Sequence, residues 1–240
     1  MSVNFMPNIV WRDSTGSTNV DARDCAFTHG AMVATTNQVS GRGRMNREWV
    51  CPPGKSLAMS LVVELSSLPK SMTASWVPLL AGLAMSDVIR ELGAEASVKW
   101  PNDVLIGNNK VAGVLCELTG DGRIIVGVGV NWNLSADELP TDVATSLNLE
   151  GVTVDPSDLA ESWRRAMLVL VEKGMSPELR HRLTESSATI GRSVRIEFPS
   201  GETDRGIAVG LGEDGSLEVD CASGRRRVTA GDVTHLRHNG

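Results

Sequence analysis

The sequence predicts an α+β protein with two domains, over residues 1–188 and 189–240. Three observations support this prediction. The 240 residues are 41% hydrophobic, which is enough for a large domain with its own core and a small one beside it. Residues 98–132 read as an antiparallel run of strands joined by short turns, without a regular alternation of strand and helix. After Gly191 only short, closely spaced strands follow, which is typical of a small β-barrel.

The first 65 residues contain four expected elements around a loop. They are a strand, a helix, a second strand and a buried strand, over residues 9–11, 20–27, 31–36 and 57–65. Ser17 or Thr18 is an expected N-cap for the helix, and Gly30 closes it. Residues 38–49 are rich in glycine and arginine, and we expect them to form a flexible loop.

The middle of the chain is expected to hold one long helix and then a meander. Over residues 75–92 the apolar positions follow a helical period, Pro78 is tolerable in the first turn, and Gly93 is a stop signal. The meander strands are expected over residues 98–100, 104–106, 110–118 and 123–132.

Two helices precede the C-terminal strands. Asp155 is an N-cap with proline after it, Gly174 ends that helix, and a second helix follows Ser176-Pro177. The C-terminal strands are expected over residues 194–198, 206–210, 217–220, 226–229 and 233–236. Gly210-Leu-Gly-Glu-Asp-Gly215 matches a nucleotide-binding glycine pattern, but it precedes a strand and holds two carboxylates, so we interpret it as a hairpin turn.

Composition excludes several classes of protein. A formal net charge of −6 argues against a general nucleic-acid-binding protein, although a local cationic pocket remains compatible with it. The four cysteines form no CxxC pair and the four histidines no HExxH pattern, so neither a zinc site nor histidine-based catalysis is indicated. The apolar stretches are shorter than the about 20 residues of a membrane span, and residues 1–8 do not resemble a signal peptide. We therefore expect a cytoplasmic protein without a membrane anchor.

A candidate anion site lies in the segment Gly41-Arg-Gly-Arg-Met-Asn-Arg-Glu-Trp49. Three guanidinium groups fall within six residues, on a backbone that glycine leaves free to fold around an anion. Taken alone, the segment is equally compatible with a solvated basic loop. Further polar and cationic groups, in Lys99-Trp-Pro-Asn-Asp103 and Lys110-Val-Ala-Gly113, are expected at one end of the meander. Gly127-Val-Gly-Val-Asn131 is a strand interrupted by glycine, as occurs where a ligand approaches the backbone.

In five segments that follow one another in order, the sequence resembles the biotin protein ligases. These segments are Ser17-Thr-Asn19, Gln38 with Gly41-Arg-Gly-Arg44 and Trp49, Lys99-Trp-Pro-Asn-Asp103, Lys110-Val-Ala-Gly113 and Gly127-Val-Gly-Val-Asn131. The resemblance covers nearly the whole chain. It implies a catalytic domain related to class II aminoacyl-tRNA synthetases, with a mixed, largely antiparallel sheet, and an SH3-like C-terminal domain.

The resemblance also implies a reaction in two steps. The carboxylate of biotin attacks the α-phosphorus of ATP, which gives biotinyl-5'-AMP and pyrophosphate. A lysine amine of a biotin carboxyl carrier domain then attacks the mixed anhydride. ATP and Mg²⁺ take part, and positioning and cations serve such a displacement without a protein nucleophile.

The same resemblance implies roles for individual residues. Those implied for biotin are Ser17, Thr18, Asn19, Gln38, Gly41, Arg42, Gly43, Arg44, Lys110 and Gly113. Those implied for ATP are Arg44, Arg47, Trp49, Asn102, Lys110 and Asn131, with Asn102 and Asn131 on the nucleotide and metal side; the metal ligands are not identified. The implied catalytic residues are Lys110, Arg44 and Arg42. Lys110 and Arg44 would screen the two anions that must meet, and Asp103 would orient Lys110 or receive the acceptor lysine.

Gly41 and Gly43 suggest that the arginine segment is a lid, which closes over the adenylate and keeps water from it. Met45 and Asn46 depart from the residues common in this family's loops. From the residues alone, Ser17 and Thr18 are as well explained as helix caps, and Lys110 as an exposed hairpin lysine.

Some members of the family carry an N-terminal DNA-binding domain, which we do not expect here because Ser17 lies so near the start. The principal alternative function is lipoate or octanoate transfer on the same fold, although that family's Arg-Arg-x-Ser-Gly-Gly-Gly signature is absent. A non-catalytic SH3-like adaptor is the alternative from another class. We expect a monomer or a weak homodimer, which an exposed edge strand of the meander would pair.

Overall fold

A seven-stranded sheet and a five-stranded sheet organise the chain. The structure, a computed structural model, describes residues 8–49, 52–198, 200–229 and 231–236. The strands before residue 132 are β1 (Ile9–Trp11), β2 (Met32–Thr35), β3 (Gly41–Arg42), β4 (Glu48–Trp49), β5 (Ser56–Glu64), β6 (Ala96–Lys99), β7 (Asp103–Ile106), β8 (Asn109–Leu118) and β9 (Arg123–Asn131). In the larger sheet their order is β1-β2-β5-β9-β8-β7-β6, and β3 pairs with β4 as a separate hairpin. Only β1 and β2 are parallel, so the predicted mixed, largely antiparallel sheet is confirmed.

The two faces of the larger sheet carry different helices. The helices are α1 (Thr18–Asp24), α2 (Val77–Glu91), α3 (Pro156–Lys173) and α4 (Pro177–Glu185). Side chains alternate between faces along a strand. On β5, Leu57, Met59 and Leu61 enter the main core with α2 and α3, whereas Val62 packs with Ala22 of α1. The face toward α2 and α3 is therefore filled with large apolar side chains, and α1 covers part of the other.

Helix boundaries follow capping chemistry at α3 and α4. The Asp155 carboxylate accepts the backbone N–H of Ser157 at 2.8 Å, with Pro156 at the first helical position. Gly174 ends α3 with φ of 69°, a left-handed conformation that glycine adopts readily. The Ser176 hydroxyl caps α4 at the backbone N–H of Leu179. The predictions for these two helices are confirmed.

The first helix differs from the prediction. It begins at Thr18 and ends at Asp24, so Phe27 lies outside it. Ser17 occupies the N-cap position, but its side chain makes no capping hydrogen bond. At the other end, the Arg123 guanidinium donates to the carbonyls of Arg23 at 2.9 Å and Cys25 at 3.1 Å. A side chain of β9 thus satisfies acceptors at the C-terminus of α1 that the helix leaves free.

The second sheet contains β10 (Ser193–Glu197), β11 (Thr203–Leu211), β12 (Leu217–Cys221), β13 (Gly224–Val228) and β14 (Asp232–His235). Its order is β13-β12-β11-β10-β14, and every pair is antiparallel. The glycine pattern at residues 210–215 is the turn between β11 and β12, as predicted. This turn docks on the first unit: the indole N–H of Trp76 donates to the Glu213 carbonyl at 3.1 Å, and that of Trp100 to the Gly215 carbonyl at 3.0 Å.

The outer edge of the meander is not free. Val98 of β6 donates its backbone N–H to the Ser186 carbonyl, and Ala188 donates to the Val98 carbonyl, both at 2.8 Å. The expectation of an exposed edge strand in the meander is therefore wrong for this part of β6, because the chain after α4 pairs with it. The oligomeric state and the domain boundary at residues 188 and 189 stay predictions.

Three cysteines, Cys25, Cys116 and Cys221, are free thiols, and Cys51 lies outside the described residues. Burial raises the pKa of the Cys116 thiol to about 12, so it remains protonated. Across the described ranges, no helix combines the length and the apolar character needed to cross a bilayer.

A test of the main core uses Trp163 of α3, which is fully buried and donates its indole N–H to the Ala81 carbonyl of α2 at 3.1 Å. We expect Trp163→Ala to lower the free energy of unfolding by about 3–5 kcal/mol, because it removes a large ring from a packed interface. Urea denaturation followed by circular dichroism measures this change. Val169→Ala, at an exposed position of the same helix, serves as the control and should shift the value by less than about 0.5 kcal/mol. Equal stability of the two variants would contradict the assigned core.

Candidate active site

A cavity of about 260 Å³ lies on the α1 face of the larger sheet. Its walls come from α1, the arginine segment 41–49, the β6–β7 turn and β14 of the second sheet. The residues that line it are Ser17, Thr18, Asn19, Val20, Arg23, Gln38, Arg42, Gly43, Arg44, Arg47, Glu48, Trp49, Ala58, Lys99, Trp100, Pro101, Asn102, Asp103, Lys110, Gly113, Val114, Leu115, Glu117, Gly127, Val128, Gly129, Val233 and Thr234.

The floor of the cavity consists of small residues spaced two apart. Gly127 and Gly129 lie on the same face of β9, and Gly113 of β8 is paired with Gly129. A β-carbon at Gly127 would overlap Asn19 Oδ1, and one at Gly129 would overlap the Trp49 ring. Glycine at these positions therefore allows α1 and Trp49 to approach the sheet closely.

One end of the cavity is a buried polar cluster. Gln38 Oε1 accepts the backbone N–H of Thr18 at 2.8 Å and lies 3.2 Å from the Thr18 hydroxyl. The Ser60 hydroxyl lies 2.7 Å from Thr18 Oγ1 and 2.6 Å from Asn19 Oδ1. The Asn19 amide nitrogen donates to Glu117 Oε2 at 2.6 Å. Donors and acceptors alternate here in a way that suits a small polar ring with both N–H and C=O groups.

The arginine segment forms the β3–β4 hairpin across the cavity. Gly41 pairs with Trp49, and a β-carbon at Gly41 would lie 2.5 Å from the Trp49 carbonyl oxygen. At the tip Met45 is exposed and has φ of 56°, a left-handed conformation unfavourable for a residue with a side chain. Arg44 turns inward: it donates to Asn102 Oδ1 at 3.2 Å and to the carbonyl of Gly231, immediately before β14, at 3.1 Å.

Lys110 lies at the opposite end of the cavity from the polar cluster. Its ammonium nitrogen is 2.6 Å from Asp103 Oδ1 and 5.5 Å from the centre of the Trp49 ring. The β7–β8 register shifts between Val104 and Leu105, immediately beside Lys110. Such a bulge changes the direction of nearby side chains.

Hydrogen bonds outside the cavity fix the backbone at Lys110. Asn131 is 2% exposed and donates its amide N–H to the carbonyls of Thr145 at 2.9 Å and Lys110 at 3.3 Å. The backbone N–H of Lys110 also donates to the Val143 carbonyl at 2.8 Å. Asn131 therefore acts here as a brace between the end of β9 and the start of β8.

The cavity is strongly cationic. Among the described residues, six cationic side chains line it, against three acidic ones, Glu48, Asp103 and Glu117. Burial lowers the pKa of Lys99, the charges of Lys110 and Arg47 lower it further, and Asp103 opposes them. Burial also lowers the pKa of Arg44. Cations that crowd together and lose water bind an incoming anion more strongly than they would at an open surface.

Most of the predicted site residues meet in this cavity. Those that line it are Ser17, Thr18, Asn19, Gln38, Arg42, Gly43, Arg44, Arg47, Trp49, Asn102, Lys110 and Gly113. Gly41 does not line it, although it closes the hairpin against Trp49. Asn131 does not line it either, because its amide is directed to the backbone. Trp49 lies on the glycine floor beside Lys110.

Sequence reasoning missed several residues of the site. Ser60 is a lone hydroxyl in the apolar run of β5, and Glu117 a lone charge between apolar residues of β8; both patterns are visible in the sequence. Val233 and Thr234 of β14 line the cavity and Gly231, immediately before β14, contacts Arg44; only the docking of the two sheets brings them there.

The arrangement is suited to joining two anions, since a polar recess leads over a glycine floor to a group of cations. It does not resemble a metal centre: within the described ranges, no three histidine, cysteine, aspartate or glutamate residues lie in a group that could hold a metal ion. Nor does a histidine line the cavity among the residues described.

Comparison with known protein families agrees with this geometry. Residues 14–135 match the biotin/lipoate A/B protein ligase family, and residues 189–236 match the biotin protein ligase C-terminal domain. The chain is 33% identical over 233 residues to a biotin–acetyl-CoA-carboxylase ligase of Mycobacterium tuberculosis. This alignment covers 93% of this chain and 87% of that one. A ligase of the same name from Paracoccus denitrificans is 31% identical over 237 residues, 91% of this chain and 97% of that one.

Solved structures show the same likeness. The biotin protein ligase of Aquifex aeolicus in complex with biotin and ATP superposes with a TM-score of 0.83 at 25% identity, over 97% of this chain and all of that one. The Leishmania major enzyme in complex with biotinyl-5-AMP gives a TM-score of 0.69 at 25% identity, over 94% of this chain and all of that one. With a family match over half of its length and relatives above 30% identity, this chain belongs to the biotin protein ligase family.

Proposed function

We propose that the protein activates biotin with ATP as biotinyl-5'-AMP and transfers the biotinyl group to a lysine of a biotin carboxyl carrier domain. The observation that carries this proposal is the continuous cavity, in which the polar cluster at Thr18 and Gln38 leads over the glycine floor to Lys110 and Arg44. The names of the relatives support it, and so do the ligands of the two superposed enzymes.

The ring of biotin would lie in the polar cluster. Its urea has one carbonyl and two N–H groups, which can pair with Ser17, Thr18, Gln38 and the backbone of Arg42. The apolar tail would follow the floor at Gly113 and Gly129, where Trp49 covers it. This placement directs the carboxylate toward Lys110.

The adenylation step requires two anions to approach each other. Lys110 would contact the biotin carboxylate and the α-phosphate together, while Arg44 neutralises charge that develops at phosphorus. Asp103 holds the Lys110 ammonium at 2.6 Å and would orient it. In the transfer step, Asp103 would also receive the acceptor lysine, whose amine forms the amide bond as AMP leaves.

We propose that nucleotide contacts come from Arg47 and Asn102, and that Asn131 supports the backbone of Lys110 without contacting the nucleotide. Mg²⁺ would arrive with ATP. It is commonly held by substrate phosphates, water and one or two carboxylates, which suits a cavity with few acidic side chains. In this reaction Mg²⁺ supplies charge neutralisation on the triphosphate.

The second sheet would be an SH3-like domain beginning near residue 189 that completes the site. The carbonyl of Gly231, immediately before β14, contacts Arg44, and Thr234 of β14 lines the cavity. We also propose that the protein acts in the cytoplasm, as a monomer or weak homodimer, and binds no nucleic acid, as the net charge of −6 favours.

The overall activity is tested with the protein, Mg-ATP, a carrier domain and either biotin or lipoate. We expect intact mass spectrometry to find one biotinyl group on the carrier lysine, and no lipoyl group, because the polar cluster pairs with a urea. A control carrier with arginine at the acceptor lysine should stay unmodified. Modification with lipoate in place of biotin would refute the proposal in favour of the lipoate-transfer alternative.

Lys110→Ala should slow biotinyl-5'-AMP formation by on the order of 10²-fold, because the two anions lose a cation that screens their repulsion. Pyrophosphate release at saturating biotin and ATP measures this rate. The matched control is Lys70→Ala, at an exposed position outside the cavity, which should leave the rate unchanged. A rate for Lys110→Ala within about twofold of the unchanged protein would exclude Lys110 from the reaction.

The hairpin over the cavity should act as a lid. Arg42 and Arg47 are exposed, so trypsin can reach the segment 41–49 in the ligand-free protein. We expect biotin plus ATP to slow cleavage there, because charged partners order the segment. Mass spectrometry of the fragments measures the rate, and cleavage after the exposed Arg165 is the internal control. Equal cleavage of the segment with and without ligands would rule out closure.

A further inference from the structure

The polar cluster contains a chain of hydrogen bonds that reaches a residue outside the family's motif segments. The chain runs from Glu117 on β8 through Asn19 and Ser60 to the hydroxyl of Thr18. We propose that Glu117 is a positioning residue that fixes the direction of this chain, and so makes the Thr18 hydroxyl an acceptor for a ring N–H of biotin.

Glu117 determines which group donates and which accepts at the first hydrogen bond of the chain. A carboxylate only accepts hydrogen bonds, so the Asn19 amide must present its nitrogen to Glu117 Oε2, which lies 2.6 Å away. The carbonyl of Leu115 is a second acceptor for the same nitrogen at 3.3 Å. Arg23 donates to both oxygens of the Glu117 carboxylate at 3.3 Å, so these oxygens face donors on this side as well. The oxygen of the Asn19 amide is therefore turned toward Ser60.

The next step follows from counting hydrogens at Ser60. Its hydroxyl has one hydrogen and lies 2.6 Å from Asn19 Oδ1 and 2.7 Å from Thr18 Oγ1. Asn19 Oδ1 has no hydrogen to give, so Ser60 donates to it. The 2.7 Å contact then requires Thr18 to donate to Ser60, because two oxygens at that distance without a hydrogen between them repel. Ser60 is fully buried, so water does not compete for these bonds.

Gln38 does not compete with Ser60 for the hydroxyl hydrogen of Thr18. Gln38 Oε1 already accepts the backbone N–H of Thr18 at 2.8 Å, and its distance to the Thr18 hydroxyl is 3.2 Å, longer than the 2.7 Å to Ser60. Because the hydroxyl hydrogen of Thr18 is donated to Ser60, the hydroxyl oxygen has only lone pairs to offer to a ligand in the cavity that Thr18 lines. A urea N–H is the complementary partner, whereas a methylene group or a carbonyl in that place leaves the lone pair unpaired.

Glu117→Gln tests this assignment, because the glutamine amide can also donate and so permits Asn19 to turn over. The KM for biotin in adenylation should rise about tenfold, the equivalent of one buried hydrogen bond, while kcat at saturating biotin stays within about twofold. Glu64→Gln, at the far end of β5, is the matched loss of a carboxylate and should leave both constants unchanged.

The strongest test is a rescue. In Asn19→Asp the two adjacent carboxylates repel, so this variant should also bind biotin weakly. The double variant Asn19→Asp with Glu117→Gln restores the direction, because the glutamine nitrogen donates to the new aspartate and the aspartate accepts from Ser60. Its KM should return to within about threefold of the starting value, since the original pattern of donors is present again. A double variant no better than either single one would overturn the proposal.

Discrimination among ligands provides a readout that a purely structural role would not change. Two lactam analogues of biotin, each with one ring N–H replaced by CH₂, are compared with biotin. The unchanged protein should discriminate strongly against one of them, and Glu117→Gln should lose most of that discrimination. Ser60→Ala breaks the chain in its middle with a small change of volume and should lose it as well. If Ser60→Ala and Glu117→Gln both keep the full preference, the proposal is wrong.

Because this assignment depends on biotin being the ligand, the unchanged protein is assayed first for biotinyl-5'-AMP. Failure to form it refutes the proposed function and the positioning role together. Formation of the adenylate with unaltered constants in Glu117→Gln refutes the positioning role alone.

Discussion

The site depends on a patch of the larger sheet, on its α1 face, where three glycines leave no side chains. Gly113, Gly127 and Gly129 lie together on β8 and β9, and the face behind them is filled by the core with α2 and α3. Large residues on one face hold the sheet in place, while glycine on the other leaves room above it. A single β-carbon at Gly127 or Gly129 would collide with Asn19 or Trp49, so the dimensions of the cavity are set by the absence of three side chains.

The contents of the cavity follow from the elements at its edge. At one end the start of α1 meets Gln38 and Ser60, and a hydrogen-bonded polar cluster results. At the other end a bulge in the β7–β8 ladder and the ion pair with Asp103 place Lys110. In the proposed function, the distance between the two ends along the floor would separate recognition of a polar ring from chemistry at a carboxylate. A ligand of the wrong length or with the wrong headgroup would then fail to bring its carboxylate to Lys110.

The second sheet takes part in the site as well as in the fold. Trp76 and Trp100 anchor its β11–β12 turn, and the Gly231 carbonyl receives Arg44. A change in the position of this sheet would therefore alter the environment of a cation in the cavity. This contact gives a physical reason for the two units to occur in one chain.

The sequence alone determined most of the secondary structure. The exceptions are α1, which begins at Thr18 and ends at Asp24, and the arginine segment, which was expected to be a flexible loop and forms the β3–β4 hairpin. Short apolar runs, Asp155 before a proline, and Gly174 located the strands and helices because these signals act within a few residues. Most of the site residues that it identified do line the cavity, since the arginine segment and the Lys110 hairpin are recognisable as motifs. Contacts between distant segments were decided by the tertiary structure: the pairing of residues 186–188 with β6, the Gly231 contact of Arg44, and the chain from Glu117 to Thr18. They join residues far apart in sequence, so no local pattern specifies them, and they form only when packing brings the two partners together.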